Sequence, residues 1–437
     1  MVLRSIRQPI SIFFLLFLTL ILTWSSAPSS VKAASPVYMR ILGDDFLCDG
    51  TVDEDYPGTI VGQCAFQNFG KAHDEVDEGG VIYVGTGVYS DLFSIGKSVT
   101  VIGAGVDQTI IDRGGNPLGI QITLDPSQTV IISDLTVQNG VSLGMGGGVS
   151  IGNGTVTLRD CAVQNNTAVN GGGIDNWGTL TVERCEIQGN VATTGGGGGI
   201  QNRGNLTVIE SRIVDNHAGN AFASGGGIWN DNELGNAVIL DRVEISENTA
   251  NNNGSAYYDQ GDGQTTIVNS TIARNTVAMG KGAVWQKGPM MIVNSTIAEN
   301  YTEGTGAEGG LIAVGTVIIG NTIIANNNNA DCLTTGGGYI SSTGHNIESG
   351  TTCSFTSLND FQNTDPLLGA LGNYGGPTHT MALLLGSQAI SFGNYSICTS
   401  PPVNAVDQRG VTRPIGFACD IGAYEADYRL FLPLIMR

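Results

Sequence analysis

The chain has 437 residues, 64 of them glycine, and a formal charge of −20. That acidity excludes nucleic-acid and anionic-membrane partners, because phosphate repels such a surface, and leaves neutral glycans, cationic partners or bound Ca²⁺. So many glycines with so few charges suit tight coil corners better than a helical protein.

Residues 1–33 read as a signal peptide. Arg4 and Arg7 precede an apolar run from Ile10 to Trp24, and Val31-Lys32-Ala33 offers small residues at a cleavage site. A retained N-terminal anchor is the alternative. The run is short for a bilayer crossing, so the mature chain is expected to begin near Ala34, with no membrane span, at the cell surface or outside the cell. Eight cysteines fit an oxidising compartment, since an even count in an exported chain suggests pairing. Proximity pairs Cys48 with Cys64, Cys332 with Cys353, and Cys398 with Cys419. Cys161 and Cys185 lie one repeat apart and should face each other at about 4.8 Å, either bonded or stacked as buried thiols.

Residues 34–80 contain a cap region. Phe66, Phe69 and Val76 recur at helical spacing, which predicts a short amphipathic helix within Cys64–Val76. A solenoid must cover its terminal coil, and this helix is placed to do so. Val81-Ile-Tyr-Val, Val88-Tyr89 and Ser98-Val-Thr-Val-Ile then read as the first strands.

Across residues 81–330 one asparagine recurs: Asn166, Asn190, Asn216, Asn248, Asn275, Asn300 and Asn326, at gaps of 24, 26, 32, 27, 25 and 26. An apolar residue precedes each by eight (Leu158, Val182 through Ile318) and by three (Val163, Ile187 through Ile323). A period of about 25 with strand chemistry makes each unit one coil of an all-β solenoid. Alternation points these apolar positions inward and the residue four before each Asn outward. The outward series Glu186, Arg212, Glu244, Thr271, Thr296 and Thr322 suits an exposed face. Its alternating signs, like Arg159 and Asp160 against Glu183 and Arg184, or Arg274 between Glu247 and Glu299, read as a solvated ion ladder. The asparagine itself suits a corner: it tolerates left-handed backbone, bonds turn amides, and can ladder along the axis. A second element, Gly-Gly-Gly-apolar, ends at Val149, Ile174, Ile200 and Ile228. No helix or Lys-Ser/Thr follows it, so it reads as a corner and not a phosphate cradle.

The widest gap, between Asn216 and Asn248, opens a candidate site. Trp229 follows Ile228, Trp285 follows Val284, and Tyr258 falls at the matching corner between them. In register these make an outward aromatic stripe, with Asp231, Asp259 and Gln286 alongside to bond a stacked sugar. The competing interpretation is an aromatic ladder that steadies a long loop. Asp259 and Asp262 also form a candidate Ca²⁺ loop, against an ordinary polar turn. His73, His217, His345 and His379 are scattered, and no triad or metal spacing emerges.

The repeated [Ile/Val]-x-x-Asn and Gly-Gly-x-[Ile/Val], with the cap helix and the strands that follow it, resemble right-handed parallel β-helices of the pectate-lyase-like and polymorphic outer-membrane-protein types. The likeness spans roughly Ala65 to Asn329 and implies fold more than activity. Residues 331–427 add Asp365-Pro-Leu-Leu-Gly, Asn373-Tyr-Gly-Gly-Pro-Thr-His-Thr, Asp407-Gln-Arg-Gly-Val-Thr-Arg-Pro and Cys419-Asp-Ile-Gly-Ala-Tyr-Glu425. These resemble the choice-of-anchor Q domain, although Gln388 and Ser391 stand where that family usually has Pro and Asp. The apolar tail, residues 428–437, is too short to span a bilayer and is either an edge strand or a sorting tail.

Together these features imply an exported, monomeric surface protein that requires no cofactor. It would be non-enzymatic, and adhesin-like or in contact with a polysaccharide. The alternative is a polysaccharide lyase or glycoside hydrolase, which needs acids converging on one groove.

Overall fold

The computed structural model describes residues 36–427 apart from Pro57, 232–234 and 305–307. The signal peptide and the C-terminal tail of the sequence reading lie outside the described residues. The chain is an all-β parallel β-helix whose coils visit three long sheets and, in six of them, a short fourth, here S1 to S4 in coil order with S3 the short one. One coil shows the plan: Thr155–Arg159 in S1, Ala162–Gln164 in S2, Thr167–Ala168 in S3 and Ile174–Asn176 in S4. S4 holds ten strands, so the solenoid makes about ten turns. The parallel pairing runs past residue 330, where the sequence reading ends it, through Cys332–Thr334, Tyr339–Ser342 and Ile347–Glu348.

The period-two alternation builds the core. Val156 and Leu158 of S1, Val163 of S2 and Ile174 of S4 are buried and repeat in register up the stack. At the N-terminal end, a helix over Phe69–Glu75, capped by Asn68, buries Phe69 and Ala72. The Phe69 ring stacks on Phe93 of the first S4 strand at 4.0 Å, which closes the apolar end.

The recurring asparagines form a buried ladder at the S2–S3 corner. The backbone and side-chain amides of each donate to the side-chain oxygen of the next, at 3.0 Å between Asn166 and Asn190. The chain continues through Asn216, Asn248, Asn275 and Asn300. Two expectations change here. The left-handed residue is the one before each ladder asparagine, such as Asn165 or Asp215, and not the asparagine itself. The last ladder member is Asn327 and not Asn326, because Asn300 bonds Asn327 while Asn326 takes the left-handed place. That one-residue slip carries the inward positions with it: Ile319 and Ile324 pair with Ile292 and Ile297, and Ile318 is exposed.

Residues 366–427 fold back over S2. Leu368–Gly372 and Thr380–Leu383 form an antiparallel pair, and Met381 packs on Ala273 and Ala298. Leu383, Ala389 and Ile421 pack on Ile323 and Ala325. Glu244, Thr271 and Thr296, read as exposed from the sequence, are therefore buried. Three disulfides form as proximity suggested: Cys48–Cys64, Cys332–Cys353 and Cys398–Cys419. Cys161 and Cys185 are buried free thiols, the backbone amide of Cys161 lying 3.3 Å from the Cys185 sulfur. Among the described residues no helix is long and apolar enough to cross a membrane.

Candidate functional site

The middle position of each S4 strand points away from the core, and strand register turns it into a column. Asp175 pairs with Gln201, Gln201 with Trp229, Trp229 with Tyr258, and Tyr258 with Trp285. The three aromatic residues expected to meet do so. Trp229 meets Tyr258 edge-on at 6.1 Å between centroids, and Tyr258 lies against Trp285 at 4.7 Å. Tyr258 is thereby covered by its neighbours, and the two indoles carry the open surface of the stripe.

The column continues below the stripe into a polar cluster that the sequence reading did not anticipate. Gln201 is fully buried, and neither its amide oxygen nor its amide nitrogen has a hydrogen-bond partner among the described residues. The enclosed Trp229 indole nitrogen is likewise unpartnered. Arg203, one residue past its S4 strand, bridges Asp175 at 2.9 Å and Asp231 at 3.5 Å. Its guanidinium lies 4.4 Å from the Trp177 ring centre, and the Trp177 indole donates to Asp175 at 2.8 Å. Burial pushes the Asp175 carboxyl up to about 6, against the lowering pull of Arg203. The signal was present in the sequence: Asp175 and Gln201 directly follow the Gly-Gly-Gly-Ile element, at the same offset as Trp229.

Asp259 does not join this site. It occupies the inward position of its strand, fully buried, and accepts from Asn230 at 2.8 Å. The cause is the strand period: one residue beyond the outward Tyr258 must face the core. Gln286, also expected beside the stripe, is buried inside by the same rule. Asp262 turns outward to Lys287 at 3.1 Å, so the two carboxylates of the candidate Ca²⁺ loop face opposite sides of the wall. Among the described residues no group of three or more metal-ligating side chains converges. Each histidine has a local partner: Gly96 for His73, Thr249 for His217, Phe392 for His345 and Glu244 for His379.

A wider trough of ≈ 460 Å³ lies on the part of S2 that the C-terminal segment leaves open, with Val106 and Asp107 at one end and Pro377 at the other. Its floor carries the ion ladder: Asp160 with Arg184, Glu186 with Arg212, and Glu210 with Arg242.

No protein-family model matches the chain, and no curated protein matches it. Solved structures do. The crystal structure of pectate lyase Pel9A is similar over 91% of this chain and 98% of its own, with a TM-score of 0.50 and 14% identity. The complex of XylC with xylose is similar over 90% and 98%, with a TM-score of 0.55 and 9% identity. At such identities the likeness is one of fold: the chain shares the parallel β-helix with these two structures. The C-terminal resemblance to a choice-of-anchor Q domain rests on its motifs alone.

Proposed function

We propose that this chain is an exported or cell-surface β-helix protein that holds a glycan without cleaving it. The observation that carries the reading is the aromatic stripe of Trp229, Tyr258 and Trp285, in register across three coils on one outer face. Flat indole faces beside hydrogen-bonding groups are what sugar rings stack on. The three disulfides are consistent with maturation in an oxidising compartment. The two similar structures are a pectate lyase and a xylose complex, which adds weight to carbohydrate as the ligand class. Against catalysis in the S2 trough, three of its four lining acids, Asp160, Glu186 and Glu210, are committed to arginines, which leaves Asp107 at its end without a second free carboxylate to work with. Surface attachment through the C-terminal third rests on its motif resemblance.

The test is to incubate the mature protein with a polysaccharide panel and score binding and product release together. Retention without release is expected. Alanine at both Trp229 and Trp285 should weaken retention about tenfold, the worth of lost aromatic stacking. Unchanged retention in that double variant would defeat the reading.

One observation favours the rival, a lyase or hydrolase. Asp175, with its carboxyl pushed up to about 6, sits beside Arg203 and Asp231 on the same face, as a proton donor would. Product release by the wild type that disappears in Asp175→Asn would establish the enzyme.

A further inference from the structure

At the corner between S4 and S1 a small cleft of ≈ 210 Å³ opens beside Trp177. We infer that this cleft binds one neutral pyranose unit, as a site separate from the aromatic stripe. The inference rests on the glycan-contact reading and adds the class of sugar and a place for it.

The lining is the first argument. Pro126, Asn153, Trp177, Asn205 and Asn236 surround the opening, and none of its lining residues is charged. On a chain of charge −20 this uncharged surface stands out. A uronate would meet no basic group in the lining, the nearby Arg203 being committed to Asp175 and Asp231, whereas a neutral ring needs only an apolar face and amide partners. Size points the same way. Drug-sized ligands occupy roughly 300–1,000 Å³, so this cleft suits a single ring.

The second argument is preorganisation. Trp177 is 48% exposed, yet its ring is held from two sides by the bond from its indole nitrogen to Asp175 and by the Arg203 guanidinium. Arg203 is fixed in turn by Asp175 and Asp231. An exposed indole that is already immobile loses little entropy when a ring stacks on it. The amides beside it have capacity to spare. Asn205 uses its side-chain oxygen on the Ala237 amide, and among the described residues its side-chain nitrogen has no partner. Asn153 is exposed, and among the described residues its side chain has no hydrogen-bond partner.

The third argument is the floor. Gly154, Gly178 and Gly204 stack on successive coils. A Cβ on Gly178 would lie 2.7 Å from the Gly154 carbonyl oxygen, and one on Gly204 only 1.8 Å from that of Gly178. The backbones therefore touch with no side chain between them, which leaves the hollow that Trp177 overhangs.

Calorimetric titration of the mature protein with xylotetraose, cellotetraose, mannotetraose and tetragalacturonate tests this. At least one neutral tetramer should bind more tightly than tetragalacturonate. Trp177→Ala should weaken it about tenfold, and Asn153→Ala, a surface change that leaves strand pairing intact, about threefold. If both variants stay within about twofold of wild type while the Trp229 and Trp285 double variant loses binding, the cleft is refuted and the stripe survives. If tetragalacturonate binds as well as every neutral tetramer, the neutral class is refuted. If no tetramer binds, both this inference and the glycan-contact reading fall.

Discussion

An asparagine can accept from the coil before it and donate to the coil after it, and an aspartate can only accept. Inside S4 a second buried ladder depends on that difference. Asn176 donates to Asn202 at 2.7 Å, Asn202 to Asn230 at 2.8 Å, and Asn230 to Asp259 at 2.8 Å, where the ladder stops. Among the described residues the other carboxylate oxygen of Asp259 is enclosed without a hydrogen-bond partner, and so is the side-chain oxygen of Gln286 on the next coil. Burial pushes the Asp259 carboxyl up to about 6, from an ordinary value of 3.8. A folded-state pKa above the unfolded one means that folding favours the proton. The associated stabilisation is fully present below about pH 4 and is lost as pH rises through about 6. Asp259→Asn should therefore be more stable than wild type near pH 7, by on the order of 1–3 kcal/mol, with the gain shrinking as pH falls below about 6 and gone below about pH 4. Denaturant unfolding at the two pH values reads this directly. Equal stability near neutrality would mean that the carboxylate is not strained by its burial.

At the scale of the coil, much was legible because each position repeats its chemistry. Strand phase, the inward columns and the meeting of Trp229 with Tyr258 and Trp285 all follow from period-two alternation multiplied by stacking, while the three disulfides followed from proximity in sequence. Legibility failed where two residues of one type adjoin. Asn326 and Asn327 are both asparagine, and only the bond from Asn300 separates the ladder member from the left-handed residue before it. Asp259 failed for a related reason: it was grouped with Tyr258 by proximity, although neighbours on a strand face opposite ways. Trp177 was missed because it lies beyond the strand, at a corner whose glycines set no obvious phase. The slip has a measurable consequence. Asn327→Ala leaves the Asn300 amides without their acceptor inside the wall and should cost roughly 2–4 kcal/mol. Asn326→Gly keeps the left-handed backbone at an exposed site and should fall within about 0.5 kcal/mol of wild type. The reverse order in thermal unfolding would restore the original register.

For the whole molecule, the sequence contained no direct sign that residues 366–427 lie along S2, because contacts more than a hundred residues apart leave no local periodicity. The indirect sign was a change of chemistry in the outward S2 column, from Glu186 and Arg212 to Thr271, Thr296 and Ile323. The buried threonines meet the returning chain: Thr271 bonds Thr380 and Gln408, and Thr296 accepts from the Ala423 amide at 3.1 Å. The motif residues of that chain hold its own shape. Arg413 is buried and donates to the carbonyls of Asp420 at 2.9 Å and Gly422 at 2.8 Å, with Glu425 at 3.6 Å. Burial pushes Asp420 up to about 7, with the neighbouring Glu425 adding to the rise, so the arginine is what makes this acidic turn tolerable. Arg413→Met should cost on the order of 3–5 kcal/mol, since it strands two buried acids. The loss should be local. The Gly422 and Ala423 amides, which bond Asn321 and Thr296, should exchange faster with solvent, while the ladder amides of Asn190 and Asn216 keep their protection. If protection falls everywhere together, the returning segment and the coils form one cooperative unit. The solenoid would then depend on its C-terminal third for its existence, and not only for cover along S2.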